Sequence, residues 1–387
     1  MPEAVIVAVA RTPIGKANKG SLVDVDAFQL ARTAVTAVIE RAGLPAADID
    51  DLVLAESLQG GGVIARYVAV EAGLPHIPGM ADNRHCAAGL SALQIAAGSI
   101  RSGMDRVVVA GGTESLSSMP QTLKSTPASA RDYRRWMSPS HPETPGAPAF
   151  DMSVTVGENT ARLAGISRAD ADHWALHSHL RAARSIADGH FAAEIVPVDL
   201  PGGGVFDTDE HPRAGSTAES LAGLRLLHPE LDGAVITAGN AAGLNDAAAA
   251  VAVVSDDYAR AHGLTPLARI VSWASVGVEP ERTGLAPALA VPKALDRAGM
   301  KVSDIDLFEI NEAFTTVAVA CGRALGLDHD RVNVNGSGCG LGHPIAATGA
   351  RMAVTMIGEL RRRGRNLGCV SMCAGGGMGS AMVLEII

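Results

Sequence analysis

The chain has 387 residues, a formal net charge of −9, 47% hydrophobic and only 3% aromatic residues, and 43 glycines. This length expects two or three domains, and the hydrophobic content excludes a disordered chain, so a large core is built from Ala, Val, Leu and Ile. The acidic balance without a long Lys/Arg run argues against a nucleic-acid partner, and no uninterrupted apolar stretch is long enough for a bilayer span.

The five cysteines (86, 321, 339, 369 and 373) are an odd number without CxxC or Cys/His metal spacing. They argue against a disulfide framework or a metal site and for a reducing compartment. The N-terminus runs directly into AVIVAVA from Ala4, so no signal peptide is expected, and the terminal LEII carries no targeting address. A cytoplasmic protein without a membrane anchor is the expectation.

In chain order, Ala4–Ala10 predicts a buried strand and Ala27–Ala42 has helical spacing. Leu52–Ala55 predicts a short strand, Ala87–Ile100 a helix, and Arg106–Ala110 a strand ending in Gly-Gly. Pro120–Pro148 is rich in Pro, Ser and Thr with little periodicity, and its basic spot, Arg131, Arg134 and Arg135, reads as a solvated loop, with a docking site for an anionic ligand as the alternative. Helical stretches are expected over Val156–Ala164 and Arg168–Asp188, then a turn at PGGG from Pro201. NAAGLNDAAAAVAVV from Asn240 predicts a helix. Ile305–Ile310 predicts a strand, Glu312–Leu325 and Ile345–Leu360 helices, and Gly368–Cys373 a strand before Gly-Gly-Gly. Alternating strands and helices imply parallel or mixed sheets covered by helices.

The chain also repeats itself. RAGLPAADID begins at Arg41 and RAGMKVSDID at Arg297, with six of ten positions identical. The same shift brings Cys86 within one residue of His343, and VVVAGGTES from Val107 resembles VSMCAGGGMGS from Val370. Two similar halves each bring a Cys or a His to a strand-to-helix turn, which predicts one active site at their junction. The stretch 119–245 has no counterpart in the second half and reads as an insertion that walls a ligand site.

Cys86 opens a small-residue helix, where free amides and the positive dipole end lower a thiol pKa. A buried structural Cys is the bland alternative, and the match to His343 favours the reactive one. His343, in GSGCGLGHPIAATGAR, begins a helix beside bare backbone and reads as the base for a thiol. Cys373 ends a strand before AGGGMG, whose amides suit an oxyanion. Asn311, before Glu312, either caps a helix or holds a water. Cys339 reads as a packing residue, and Cys321 and Cys369 as core. No glycine run matches a dinucleotide or P-loop motif.

Together the segments ARTPIGK from Ala10, the Cys86 helix, VVVAGGTESLS, DEHPRAGST from Asp209, TAGNAAGLNDAAAA from Thr237, EINEAF from Glu309, NVNGSGCGLGHPIAATGAR from Asn333 and MCAGGGMG from Met372 resemble the thiolase family over the whole chain. The resemblance implies a thiolase-like α/β fold of five layers, αβαβα, with two duplicated five-stranded halves and an inserted loop domain. The halves would be residues 1–118 plus 246–265 and 266–387, and the loop domain 119–245. It implies that Cys86 takes the acyl group as a thioester, His343 activates it and then the CoA thiol, and Cys373 handles the α-proton. Asn311 would hold a water in one oxyanion hole, and the amides of Cys86 and Gly375 would form the other.

Coenzyme A, a co-substrate with no permanently bound cofactor beside it, would meet Arg213 at its nucleotide end and Ser220 on the loop. Met152, Ala242, Ala313 and Phe314 would line its inner arm. Partners would be acyl-CoA substrates and a second copy, as homodimer or homotetramer. Departures from the family's pattern stand out: CAAGL at the nucleophile, Ala242 where relatives carry a Ser, Cys339 near the site, and DMSVTVGEN in place of a His-Met pair. The last leans towards degradative cleavage of 3-oxoacyl-CoA in β-oxidation. The alternatives are a biosynthetic acetoacetyl-CoA thiolase and a non-catalytic CoA- or lipid-binding relative, against which Cys86 speaks. A decarboxylating ketosynthase usually pairs one Cys with two His, unlike Asn311 and Cys373 here.

Overall fold

The computed structural model describes residues 1–126 and 129–387, with side chains except those of 126–132, so Arg131 of the basic spot lies outside the described side chains. The first half runs β1 (Ala4–Arg11), β2 (Gly15–Lys16), α1 (Ala27–Ala42), β3 (Asp51–Ala55), α2 (Ile64–Glu71), β4 (Met80–Asp82), α3 (Ala88–Ser102) and β5 (Val107–Ser115). A long insertion follows. It holds the hairpin β6 (Thr122–Thr126) and β7 (Ser129–Trp136), a π-helix (Ser153–Glu158), α4 (Asn159–Ala164), α5 (Arg168–Ala187), β8 (Val198–Asp199), β9 (Val205–Phe206) and α6 (Ala218–Ala222). Then come β10 (Asn245–Ser255) and α7 (Asp256–Ala261). The second half is β11 (Ala268–Gly277), α8 (Pro287–Ala298), β12 (Leu307–Ile310), α9 (Thr315–Leu325), α10 (Ile345–Arg363), β13 (Leu367–Ala374) and β14 (Met378–Ile386).

The repeated decapeptide performs the same local task twice. Gly43 (φ 62°) and Gly299 (φ 67°) end α1 and α8 in the left-handed conformation that glycine adopts without strain. Asp50 Oδ2 then accepts the main-chain N–H groups of Arg106 and Val107, at 2.7 and 2.9 Å. Asp306 Oδ2 accepts those of Asn366 and Leu367, at 3.0 and 2.9 Å. Each copy thus ties the start of one strand to the start of its parallel neighbour.

The strands order as β4-β3-β5-β10-β1 in the first half and β12-β13-β14-β11 in the second, with β2 attached to β10. β3, β4 and β5 are parallel, as are β12 and β13; β10 and β14 run antiparallel to their neighbours. The expected pair of separate sheets is joined here, because β1 and β11 pair antiparallel through Val5↔Arg269 and Ile6↔Ala268 into one ten-stranded sheet. α3 and α10 pack on each other and between the two half-sheets, while α1 and α2 cover the first and α8 and α9 the second from outside. The layers are therefore α, β, α, β, α, with three cores: a central one and one under each outer pair of helices.

The expected helix from Asn240 is a strand. Alanine favours helix intrinsically, but every residue of β10 is buried between β1 and β5. Ala249, Val251 and Val253 face the central core and Ala248, Ala250, Ala252 and Val254 the outer one, a period of two with both faces apolar. Tertiary packing overrides propensity there. The strand expected to stop at Ala110 continues through Gly111 and Gly112 to Ser115. A Cβ at Gly112 would lie 2.3 Å from the carbonyl of Ala346 and one at Gly111 2.1 Å from that of Ala249, so the glycines admit α10 and β10 instead of ending the strand. The helix expected from Glu312 starts at Thr315, and Pro120–Pro148 contains the β6–β7 hairpin. No helix among the described residues is long and apolar enough to cross a membrane.

Candidate active site

The two helices that follow Cys86 and His343 cross in backbone contact. A Cβ at Gly89 would stand 2.6 Å from Ala346 O, and one at Gly349 2.4 Å from Leu90 N. Small residues at both positions bring the start of α3 against the start of α10. Cys86 precedes α3 by two residues, after His85, whose φ of 46° is left-handed for a non-glycine residue. Strain of this kind persists where surrounding structure fixes it. Here Arg84 Nη1 donates to Ser91 Oγ (2.8 Å) and, across to β11, to Ser275 Oγ (2.9 Å).

Cys86 sulfur accepts from the main-chain amides of Gly375 and of Cys86 itself. Cys373, at the end of β13, is close enough for its charge and that of Cys86 to repel each other. Both thiols are pushed up by burial, Cys86 to about 11 and Cys373 well above its ordinary value. This corrects the expectation of a lowered Cys86 pKa. Withdrawal from water, with the nearby Glu114 carboxylate adding to it, outweighs the two amides that favour the thiolate.

His343 is buried, and burial with the Arg351 cation nearby pushes its pKa down to about 3. Its Nδ1 lies 2.7 Å from Thr348 Oγ1, and Asn311 Nδ2 lies 3.4 Å from Nδ1 and 3.5 Å from Nε2. Asn311 Oδ1 is buried without a partner, and a Cβ at Gly338 would stand 2.5 Å from it. At rest the site thus holds a neutral imidazole and protonated thiols.

The residues expected at the inner arm of CoA are also close together. Ala242 N–H donates to Ala313 O at 2.9 Å, and Ala241 bridges Phe314. Met152 is beside Gly375, where a Cβ would stand 3.2 Å from its sulfur. Phe314, Cys373, Met152, Ala241 and Ala313 belong to one apolar cluster. Arg213 and Ser220 are instead on an exposed arm, and the Ser220 hydroxyl is committed to capping α6 through Thr217. Cys339 is a packing residue, fully buried with its thiol on Gly239 O at 3.4 Å; Cys321 and Cys369 are core.

Two polar side chains escaped the sequence reading. Glu114, fully buried at the end of β5, accepts from Leu58 N (3.0 Å), Gln59 Nε2 (2.7 Å) and Ala346 N (3.1 Å). It binds the first turn of α10 to the first half. Thr348 is the partner of the His343 ring. Its place five residues on, in the first turn of a helix starting after Pro344, was the available signal.

Comparison with known proteins agrees along the full length. Residues 4–257 match the family model for the thiolase N-terminal domain and residues 264–386 that for the thiolase C-terminal domain. An acetyl-CoA acetyltransferase of Escherichia coli is 41% identical, covering 100% of this chain and 99% of its own. A 3-ketoacyl-CoA thiolase of Bacillus subtilis is 40% identical, covering 100% of both. The crystal structures of the Bacillus anthracis acetyl-CoA acetyltransferase and of human mitochondrial 3-ketoacyl-CoA thiolase superimpose with TM-scores of 0.90 and 0.91, at 38% and 32% identity. Each covers 100% of this chain and 99% of its own. The chain belongs to the thiolase family and is an acyltransferase acting on acyl-CoA with CoA as co-substrate.

Proposed function

We propose that the enzyme cleaves 3-oxoacyl-CoA with CoA through a thioester on Cys86, working mainly in the degradative direction. The observation that carries this reading is the convergence of Cys86, Cys373 and the Gly375 amide at the junction that also holds His343 and Asn311. His343 takes the Cys86 thiol proton as the sulfur attacks the C3 carbonyl, and the developing oxyanion meets the amides of Cys86 and Gly375. The C2–C3 bond then breaks. Its electron pair goes to the acetyl-CoA enolate, whose oxygen faces His343 and an Asn311-held water, and Cys373 delivers a proton to C2. Acetyl-CoA leaves, the acyl group stays on Cys86, and the proton held by His343 passes to the Cys373 thiolate, which resets the imidazole and the second thiol. His343 next takes the proton of the incoming CoA thiol, whose sulfur attacks the thioester carbonyl; the bond to Cys86 breaks, the shortened acyl-CoA leaves, and His343 returns the proton to the Cys86 thiolate.

Neutrality of His343 suits this reading, since only an unprotonated imidazole can accept the thiol proton. Support for acyl groups longer than acetyl comes from a cavity of about 780 Å³ lined by His85, which precedes Cys86, by Met378, which follows the Gly375–Gly377 turn, and by Trp136, Met137 and Phe150 of the insertion. The biosynthetic alternative, condensation of two acetyl-CoA, draws support from Met152, whose sulfur crowds Gly375. Residues 119–245 would hold the CoA arm, with Arg213 at the nucleotide. A cytoplasmic oligomer fits five free cysteines and the β6–β7 hairpin, which exposes Leu123 and Tyr133. The test is thiolysis of a panel of 3-oxoacyl-CoA substrates of increasing length. Preference for chains beyond acetoacetyl is expected; a strict preference for acetoacetyl-CoA would replace the degradative reading with the biosynthetic one.

A further inference from the structure

The motifs DEHPRAGST and TAGNAAGLNDAAAA contain two buried side chains, His211 and Asn245, that no step above uses. Asn245 opens β10. Its Oδ1 accepts the main-chain N–H of His343 at 2.9 Å, and its Nδ2 donates to Gly15 O at 2.9 Å. The same Nδ2 lies 3.2 Å from His211 Nδ1. The His211 ring also donates to the carbonyl of Cys339, in the loop that carries His343. His179 stacks on His211 with ring centroids 6.3 Å apart and planes at 27°. It accepts the Arg213 N–H at 3.4 Å and donates to the carbonyl of Gly340. The packing leaves no slack: a Cβ at Gly243 would meet His211 Cε1 at 2.3 Å, and one at Gly342 would meet Asn245 Oδ1 at 3.1 Å.

The two ends of an Asn amide are nearly equal in shape, so only their partners decide which end points where. With its other nitrogen donating to Cys339 O, the neutral His211 ring presents a lone pair at Nδ1. That lone pair requires the NH2 end of Asn245 and leaves the oxygen for the His343 N–H. A second proton on His211 would set N–H against NH2 and favour the flipped amide, turning a donor on the His343 N–H. The charged and titratable groups around the ring, Arg213, Lys16 and His179, disfavour that proton, as does burial. Asp209, two residues upstream, is taken by Arg11 and Ile14 N.

We propose that His211 is a positioning residue which, by fixing the orientation of Asn245, holds His343 in place for proton transfer. The inference rests on His343 being the base of the proposed reaction.

His211→Phe keeps the ring and removes both hydrogen bonds. In thiolysis of acetoacetyl-CoA, kcat is expected to fall about tenfold while KM for CoA stays within about twofold, the signature of a lost chemical step and not of lost binding. His211→Gln, which can offer a carbonyl to Asn245, is expected to recover to within about threefold of the parent. On an Asn245→Ala background His211→Phe should cost nothing further, since the two act as one unit. If the Phe variant does not fold, Asn245→Ala removes the link from the other end and the same loss in kcat is expected. Parental kcat in His211→Phe, or in Asn245→Ala where the Phe variant does not fold, overturns the proposal, as do equal losses in the Phe and Gln variants. Failure of the underlying thiolase mechanism would appear separately, as activity that survives Cys86→Ala.

Discussion

Burial sets the resting state of Cys86. A thiol near a helix start reads from sequence as acidic, because amides and dipole favour the anion, yet packing around the half-buried sulfur limits its contact with water and pushes its pKa up to about 11. The sign has a direct consequence for the free enzyme. The thiolate fraction should still be rising about tenfold per pH unit through neutrality, so alkylation of Cys86 by iodoacetamide should accelerate steadily from pH 7 to 10. A rate already flat at pH 7 would mean a preformed thiolate–imidazolium pair instead. Cys373 is expected to matter at a different step: Cys373→Ala should lose hydrogen exchange at C2 of acetyl-CoA while Cys86 still accepts an acetyl group. Undiminished exchange in that variant would assign the proton to another group. Cys86, His343, Cys373 and Asn311 could be picked out as candidates because each stands in a distinctive run, Cys86 and Asn311 between a strand and a helix, His343 before α10 and Cys373 at the end of β13. Glu114 and His211 could not, because what each contacts is decided by other segments: Glu114 meets residue 346, and His211 meets residues 245 and 339.

Glycine placement governs the elements. Gly89 and Gly349 let α3 and α10 touch backbone to backbone, which brings Cys86 and His343 to one place. Gly349→Val would press side-chain carbons into the main chain at Leu90, and overpacking of this kind costs about 2 kcal/mol. Both a lower melting temperature and a loss of turnover larger than the stability change are expected; unchanged activity would mean that the crossing does not set the site. The same residues explain what the pattern concealed. Gly-Gly after VVVA looks like the end of a strand, and the polyalanine of β10 looks like a helix. Gly112 and the inward alanines of β10 admit α10, and the outward alanines lie under α1; local periodicity cannot register these approaches from other segments. Where sequence and local role coincide, as in the two RAG…DID segments, the elements were legible to within a few residues.

At the scale of the molecule, duplication supplies symmetry and divergence supplies chemistry. Four strands of each half-sheet share one order; β4 has no counterpart, so the second half has four strands and not the expected five, and the largest difference is what joins two equivalent strands: residues 116–244 between β5 and β10, a three-residue turn between β13 and β14. That turn, Gly375–Gly377, delivers an amide to Cys86, while the long insertion supplies Met152, His179 and His211. Helix-covered sheets were legible from alternation and two similar halves from the repeat, while the five layers came from the family resemblance. The edge-to-edge joining of β1 and β11 was not, because pairing across halves leaves no mark in either strand's own pattern. The measurement that bears most directly on Cys86 as the acylated residue is mass analysis after incubation with acetyl-CoA alone. One acetyl group on the peptide containing Cys86, absent in Cys86→Ala along with thiolysis, is the predicted result. Acetylation of another residue, or thiolysis at the parental rate by Cys86→Ala, would contradict it.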